Sequence, residues 1–183
     1  YSTSAYMVLD HQTRRNLELF ESGRWGEIKR SLYSVLDKTR TPMGGRLLKR
    51  WLGQPLLNLE ELQDRQDMVT WFHGHDIYRE RIRTRLKSVS DMERLLSKVI
   101  GSNALPRVLL ALATSLESAP YIKDILVDNE DHLLVEPLTN TLRNNKTSID
   151  LIRKAILEEP SPVVGNGKTI KPGFSTELDS IRD

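Results

Sequence analysis

Residues 36 to 52 read Leu36-Asp37-Lys38-Thr39-Arg40-Thr41-Pro42-Met43-Gly44-Gly45-Arg46-Leu47-Leu48-Lys49-Arg50-Trp51-Leu52, and this stretch decides the fold class. It spells a helix with an explicit start. Thr41 is a good N-cap, because its hydroxyl accepts from a free backbone N–H of the first turn. Pro42 suits the first helical position, where its missing donor costs nothing. Met43, Leu47, Leu48, Trp51 and Leu52 recur at helical spacing and predict one core-facing side. Burial contributes at most about 1.5–3 kcal/mol for each of the large ones. Arg46, Lys49 and Arg50 cover the other side. Gly44 and Gly45 each cost about 1 kcal/mol relative to Ala in a helix, so the pair predicts another backbone in close approach. Gly53 is a natural C-terminal residue, and Pro55 prevents continuation.

The same grammar extends outward. Met7-Val8-Leu9 and Leu17-Glu18-Leu19-Phe20 read as two short strands or an irregular entry, with Asp10 capping a turn between them. Residues 22–26 form a loop, and a short helix over 31–38 turns Leu32, Val35 and Leu36 inward. Asn58 caps a further helix with Glu60 and Glu61 in its first turn, where the dipole favours acids. Leu62, Gln66, Val69 and Phe72 are spaced for its buried side. His73-Gly74-His75 is a break, and Asp76 starts a basic helix through Lys87. Ser90 and Glu93 make a capping-box pattern for the next, which Gly101-Ser102-Asn103 ends. Residues 105–118 form a helix with Leu109, Leu112, Ala113 and Leu116 inside, and Pro120 starts a separate piece to Val127. The segments 132–142 and 148–157 are amphipathic, as one long helix or two. Residues 158–162 are a loop, and Pro172-Gly173 precedes a last helix from about Ser175. No repeat or low-complexity segment interrupts this order. So many helices against almost no alternating pattern predict an all-α fold of antiparallel helices, with at most a minor β element near 5–20 or 163–171.

Composition narrows the class. The chain has 183 residues, 38% apolar and 28% charged, enough for a real core in a helix-rich soluble protein. No apolar run approaches membrane-spanning length, and the start lacks a signal-peptide pattern. Because it begins at Tyr1, the chain reads as a piece of something longer. The absence of cysteine excludes disulfides and thiolate metal sites and fits a reducing compartment. The net charge of +2 is uneven: residues 1–90 hold 16 Lys and Arg against 11 Asp and Glu, and residues 91–183 hold 11 against 14. The basic excess gathers at Arg14, Arg15, Lys29, Arg30, Lys38, Arg40, Arg46, Lys49 and Arg50. Such a face can track phosphates, although most surpluses of this size are ordinary solvated surface.

No set of residues spells catalysis. Gly167-Lys168-Thr169 resembles the end of a phosphate-binding loop, but that loop needs a glycine where Pro162 stands, a strand before and a helix after. Pro172 blocks the helix, and Asn166-Gly167 reads better as a tight hairpin turn. His73 and His75 have only Asp76 as a third ligand, too few for a metal site. His11 and His132 are isolated, and Glu158-Glu159 are neighbours that point apart in a loop. Trp51, Trp71 and Phe72 are the aromatic anchors. Base stacking is the functional reading of them; their company favours core.

These residues also carry a resemblance. Residues 36–56 follow LDxTxTxxGxRLLxxWLxxPL, similar to the core-domain signature of the MutS family of DNA mismatch-recognition ATPases. Upstream, residues 9–19 resemble that family's LDxxTxxNLEL entry. Downstream, Arg65-Gln66-Asp67-Met68-Val69 looks like its RxxxV helix. Residues 91–99 resemble D(L/M)ERLLxR(I/V), with Lys98 where Arg is more usual. Pro172-Gly173-Phe174 with Glu177-Leu178-Asp179 resembles the PGYxxELD entry to the clamp arm. The matches keep the family's order from residue 9 to 179.

The resemblance implies an all-α, multi-helical core or lever domain of MutS type. Residues 1–171 would be its first part, and 172–183 the start of the arm leading to the clamp. It implies a structural role in a DNA mismatch repair protein, coupling an ATPase to a DNA-gripping clamp. ATP and Mg would belong to the parent, and none to these residues. Mismatched double-stranded DNA would be bound through the parent, which would be dimeric and work with a MutL-type partner, with no membrane involved. The location would be the cytoplasm at the nucleoid in a bacterium, or the nucleus in a eukaryote. No catalytic, cofactor-binding or metal residue transfers, because the Phe-x-Glu mismatch reader and the Walker ATPase have no counterpart here. DNA-binding residues stay unassigned. The expected behaviour is no ATP binding or hydrolysis and weak, mismatch-blind, salt-sensitive DNA binding. A family paralogue acting in recombination and an unrelated helical interaction module are the alternatives.

Overall fold

The computed structural model describes residues 5–23, 27–101, 104–128, 132–162 and 168–182, with the side chains of 132 and 133 set aside. Ten α-helices follow in order among them, and no named strand. The expected all-α class is what the structure shows. The chain divides into two compact units, Tyr1–Glu80 and Arg81–Asp183.

In the first unit, α1 (His11–Asn16) starts at Asp10, whose Oδ1 accepts from the Thr13 amide at 2.6 Å. This helix replaces the expected turn between strands; local capping outweighs the apolar pairs on either side. It ends with Glu18 in the left-handed region at φ 47°. The Glu18 amide donates to Arg15 O at 3.0 Å and the Leu19 amide to Arg14 O at 3.1 Å, the paired bonds of a Schellman motif. A residue with a Cβ costs about 1–2 kcal/mol there. The Glu18 carboxylate offsets part of it by accepting from the Gly23 amide at 2.8 Å. The turn sends Leu19, only 6% exposed, into the core.

A 3-10 turn (Ile28–Arg30) leads to α2 (Leu32–Leu36), capped by fully buried Ser31, whose Oγ accepts from the Ser34 amide at 3.2 Å. The expected inward face is not formed: Leu32, Val35 and Leu36 are all exposed. The amides of Leu32 and Tyr33 bond to Glu18 O and Leu19 O, each at 2.9 Å. Those backbone bonds, not the apolar spacing, orient so short a helix.

α3 (Pro42–Gly53) begins as expected, with Thr41 Oγ1 accepting from the Gly44 amide at 3.1 Å and Pro42 in first place. Its buried residues are Gly45 and Gly53, however, and not its apolar ones. Met43, Leu48 and Leu52 are half-buried, while Leu47 and Trp51 are exposed. Trp51 is thus not core; the Arg65 guanidinium lies over its ring at 3.9 Å. Among the described residues, what lies nearest Gly44 and Gly45 is not a second backbone. A Cβ on Gly45 would lie 3.2 Å from the Tyr33 hydroxyl, and one on Gly44 would lie 3.3 Å from Thr39 Cβ. The close approach is by side chains.

After α3, Tyr6 and Leu56 form an antiparallel bridge, with the Met7 amide donating to Pro55 O at 2.8 Å. α4 (Leu59–Gly74) starts where expected, Asn58 Oδ1 accepting from the amides of Glu60 and Glu61. Its inner side is Leu62, Arg65, Met68, Trp71 and Phe72; Gln66 and Val69, expected there, are exposed. The strip is set by Trp71, which is 4% exposed and T-stacked on Phe72 at 4.9 Å. Its core placement is as the sequence predicted. Arg79 closes the helix by donating to the carbonyls of Phe72 and His73, a favourable place for a cation. α5 (Asp76–Leu86) follows the break at His75.

In the second unit, α7 (Pro106–Val127) packs against α6 (Met92–Ile100), α8 (His132–Thr141) and α9 (Lys146–Ala155). Leu112, Ala113, Ile125, Leu126, Val135 and Ile156 form its core. The cap of α6 is Asp91, not Ser90. The Ser90 amide is bound instead to Ser115 Oγ on α7 at 2.9 Å. Pro120 does not divide α7: it lies exposed inside a continuous helix, since packing before and after it outweighs the lost bond. The segments 132–142 and 148–157 are two helices, not one. Ile156 and Ile170 form an antiparallel bridge, and α10 (Thr176–Arg182) follows Gly173 at φ 80°.

Arg153 on α9 grips Glu117 on α7 with two bonds of 2.8 Å and reaches Thr114 Oγ1 at 2.9 Å. The Arg153 bond holds the Glu117 carboxyl below its ordinary value. Both side chains are more than a third exposed, so the pair contributes about 1 kcal/mol or less. A lowered folded value means this stability is present above the unfolded value and is lost as pH falls through the folded one. In urea titrations, Glu117→Gln is expected to trail the parent chain at neutral pH and match it in acid. A gap that persists in acid would point to packing instead of charge.

Candidate functional site

Within the first unit, the Schellman turn leads to Phe20, which packs at the end of α3, with α1 across a recess from that helix. Gly53 makes room for the ring: a Cβ there would lie 3.3 Å from Phe20 Cζ. The Tyr33 ring sits 6.3 Å from that of Phe20, and Lys49 Nζ lies 5.4 Å over it. Around this ring opens a recess of about 540 Å³ lined by Arg14, Arg46, Lys49 and Arg50 together with Gly53 and Gln54. A second, of about 230 Å³, adds His11, Arg15 and Glu21. A third, of about 370 Å³ toward the start of α3, adds Tyr33, Asp37, Thr39 and Arg40. Lys49 lines all three.

The electrostatics are one-sided. Among the described lining residues, Arg14, Arg15, Arg40, Arg46, Lys49 and Arg50 stand against two carboxylates, Glu21 and Asp37. Asp37 is already engaged, accepting from the Thr39 hydroxyl at 2.6 Å and its amide at 3.1 Å. Those bonds, with the Tyr33 hydroxyl, hold its carboxyl below the ordinary range, and the same contact raises Tyr33. Arg14 Nε is buried with no hydrogen-bond partner.

Of the basic residues singled out from sequence, six are thus brought together. Lys29, Arg30 and Lys38 do not line the recesses, and Arg30 lies 3.8 Å from Glu27. Sequence reasoning missed Phe20 as the wall that the first two recesses share. A glycine closing α3 at position 53 was the available signal of a ring packed against it.

His75 is half-buried and stacked on Trp71 at 4.4 Å, its Nδ1 2.7 Å from Trp71 O, which ties it to the edge of the core. No trio of His, Asp and Glu able to hold a metal occurs among the described residues. The Asn166-Gly167 turn and the glycine of the GKT triplet lie outside them. Lys168 O and Thr169 O accept from the amides of Ser161 and Leu157, in an extended pairing and not at a helix start. No described helix is long and apolar enough to cross a membrane.

Comparison with known proteins agrees with the helical architecture. The profile for MutS domain III matches residues 12–180. The DNA mismatch repair protein MutS of Acetivibrio thermocellus is 42% identical over the whole chain, which covers 21% of that protein. Those of Methanosarcina mazei and Lachnoclostridium phytofermentans are each 40% identical, again over the whole chain and covering 21% and 19% of their lengths. The chain therefore spans about a fifth of these curated relatives. A match of this extent leaves no room for an unrelated helical module: the chain belongs to the MutS domain III family.

Proposed function

We propose that this domain is the structural core of a DNA mismatch-recognition ATPase, transmitting ATP state to the DNA grip of its parent. The observation that carries this reading is the locked signature helix. Gly45 and Gly53 let Tyr33 and Phe20 seat against α3, so unit 1 moves as a packed piece. Packed helices shift between discrete arrangements instead of deforming smoothly. The relatives are named as DNA mismatch repair proteins, which favours repair over a recombination paralogue. In this reading residues 1–171 are the first part of the core, and residues 172–183 start the arm to the clamp. ATP, Mg, the dimer interface and the contacts to a MutL-type partner belong to the rest of the parent, and this chain turns over no ATP.

The test uses the full-length parent carrying Trp51→Ala. That ring is 40% exposed and meets Arg65, so the variant is expected to fold. Coupling residues away from both ligands typically shift coupling by about 0.5–2 kcal/mol. DNA-stimulated ATP turnover and ATP-triggered release from a mismatch should fall by the corresponding factor of about 2 to 30. Full coupling in a fully folded Trp51→Ala protein would remove α3 from the transmission path.

A further inference from the structure

We infer that the basic recess between α1 and α3 is a contact for the phosphodiester backbone of duplex DNA, read by charge and not by base sequence. Three observations converge. The recess presents Arg14, Arg46, Lys49 and Arg50, with no acid among its described lining residues, and Asp37 next to it is already engaged by Thr39. Arg14 is half-buried in the recess wall, which holds its guanidinium beside the cations of α3. A phosphate oxygen is the acceptor that suits an arginine fork.

The array also has length. Arg46 and Arg50 stand one turn apart, about 6 Å at helical rise, and Arg40 and Arg15 extend the basic surface beyond the main recess. A ligand with repeated charge fits this better than a single small anion, and duplex DNA carries one charge per about 1.7 Å of axis. Phe20 does not offer a stacking platform. Gly53 backs its ring, and Lys49 lies over it. The recess therefore positions a backbone and leaves base reading to others. Duplex DNA is chosen over an acidic protein segment because the relatives are DNA mismatch repair proteins. The inference rests on the proposed function for that choice alone.

The experiment measures anisotropy of a labelled homoduplex, and of the same duplex with one mismatch, against the 183-residue chain over a salt series. Both duplexes should bind equally, with log K falling linearly in log salt. Lys49→Ala/Arg50→Ala removes two exposed cations and should make that slope shallower by about 2. Arg107→Ala/Lys123→Ala removes the same charge from exposed positions of the second unit and should leave the slope as it was. Equal changes in both pairs, or none in the recess pair, would overturn the site. A polyglutamate peptide that displaces the duplex at equal or lower charge concentration would make an acidic protein segment the occupant. None of these readouts involves ATP, so failure here is separate from failure of the coupling test.

Discussion

Replacing Trp71 by Ala is expected to lower the unfolding free energy of the chain by about 3–5 kcal/mol, the usual range for a buried tryptophan. The ring is 4% exposed, is T-stacked on Phe72, stacks on His75 at 4.4 Å and meets Tyr78 at 5.8 Å. Truncation leaves a cavity that two helices would have to close. Trp71→Phe should cost much less than its lost volume suggests. Trp71 Nε1 is buried without a hydrogen-bond partner, and such a group costs about 1–3 kcal/mol, which Phe relieves. Urea midpoints of the two variants check both statements. A loss under about 1 kcal/mol for Trp71→Ala would mean that the ring is not core, and would return it to the base-stacking reading.

Gly45→Leu is expected to cost about 1–3 kcal/mol, as overpacking does in a filled site. Gly45 is buried, and the first added carbon already lies 3.2 Å from the Tyr33 hydroxyl and 3.4 Å from Thr39 Oγ1. Ala at the same place should be near neutral. The helix gains about 1 kcal/mol from losing a glycine, against a hydroxyl that must give by a few tenths of an ångström. Tyr33→Phe removes that hydroxyl, so Gly45→Ala should be better tolerated in its presence. A double-mutant cycle in urea reads the coupling. Strict additivity would show that Tyr33 is not what excludes a side chain at position 45.

The expectations that survived share one physical property, and so do those that did not. Thr41, Asn58 and Asp10 cap chain turns as their chemistry predicts, because a cap joins a side chain to an amide two or three residues away. The break at His75 was equally legible, since His73-Gly74-His75 interrupts helical spacing within the segment itself. The choice of buried face was not. On α3 the apolar stripe is half-covered while Gly45 and Gly53 are buried. On α4 the strip rotates to include Arg65 and Met68 and leaves out Val69. Spacing says that a helix has a face; which neighbours arrive there is decided elsewhere in the chain.

The same division holds for the candidate site. Composition placed the basic surplus in the first half, and the residues from 9 to 179 carry the family signature without reference to any coordinate. The gathering of Arg14 with Lys49 required Glu18 to take a left-handed turn, at a position where no glycine announced one. Ser90 and Pro120 teach the same point. Ser90 yields the cap to its neighbour Asp91 and gives its amide to Ser115, and the breaking preference of Pro120 is outweighed by packing along α7. The sequence alone determined the helical class, the family and most helix starts, because these depend on interactions within a turn or two of the chain. The tertiary structure decided which faces are covered and which cations share a recess, because burial is a property of segments meeting and not of any segment alone.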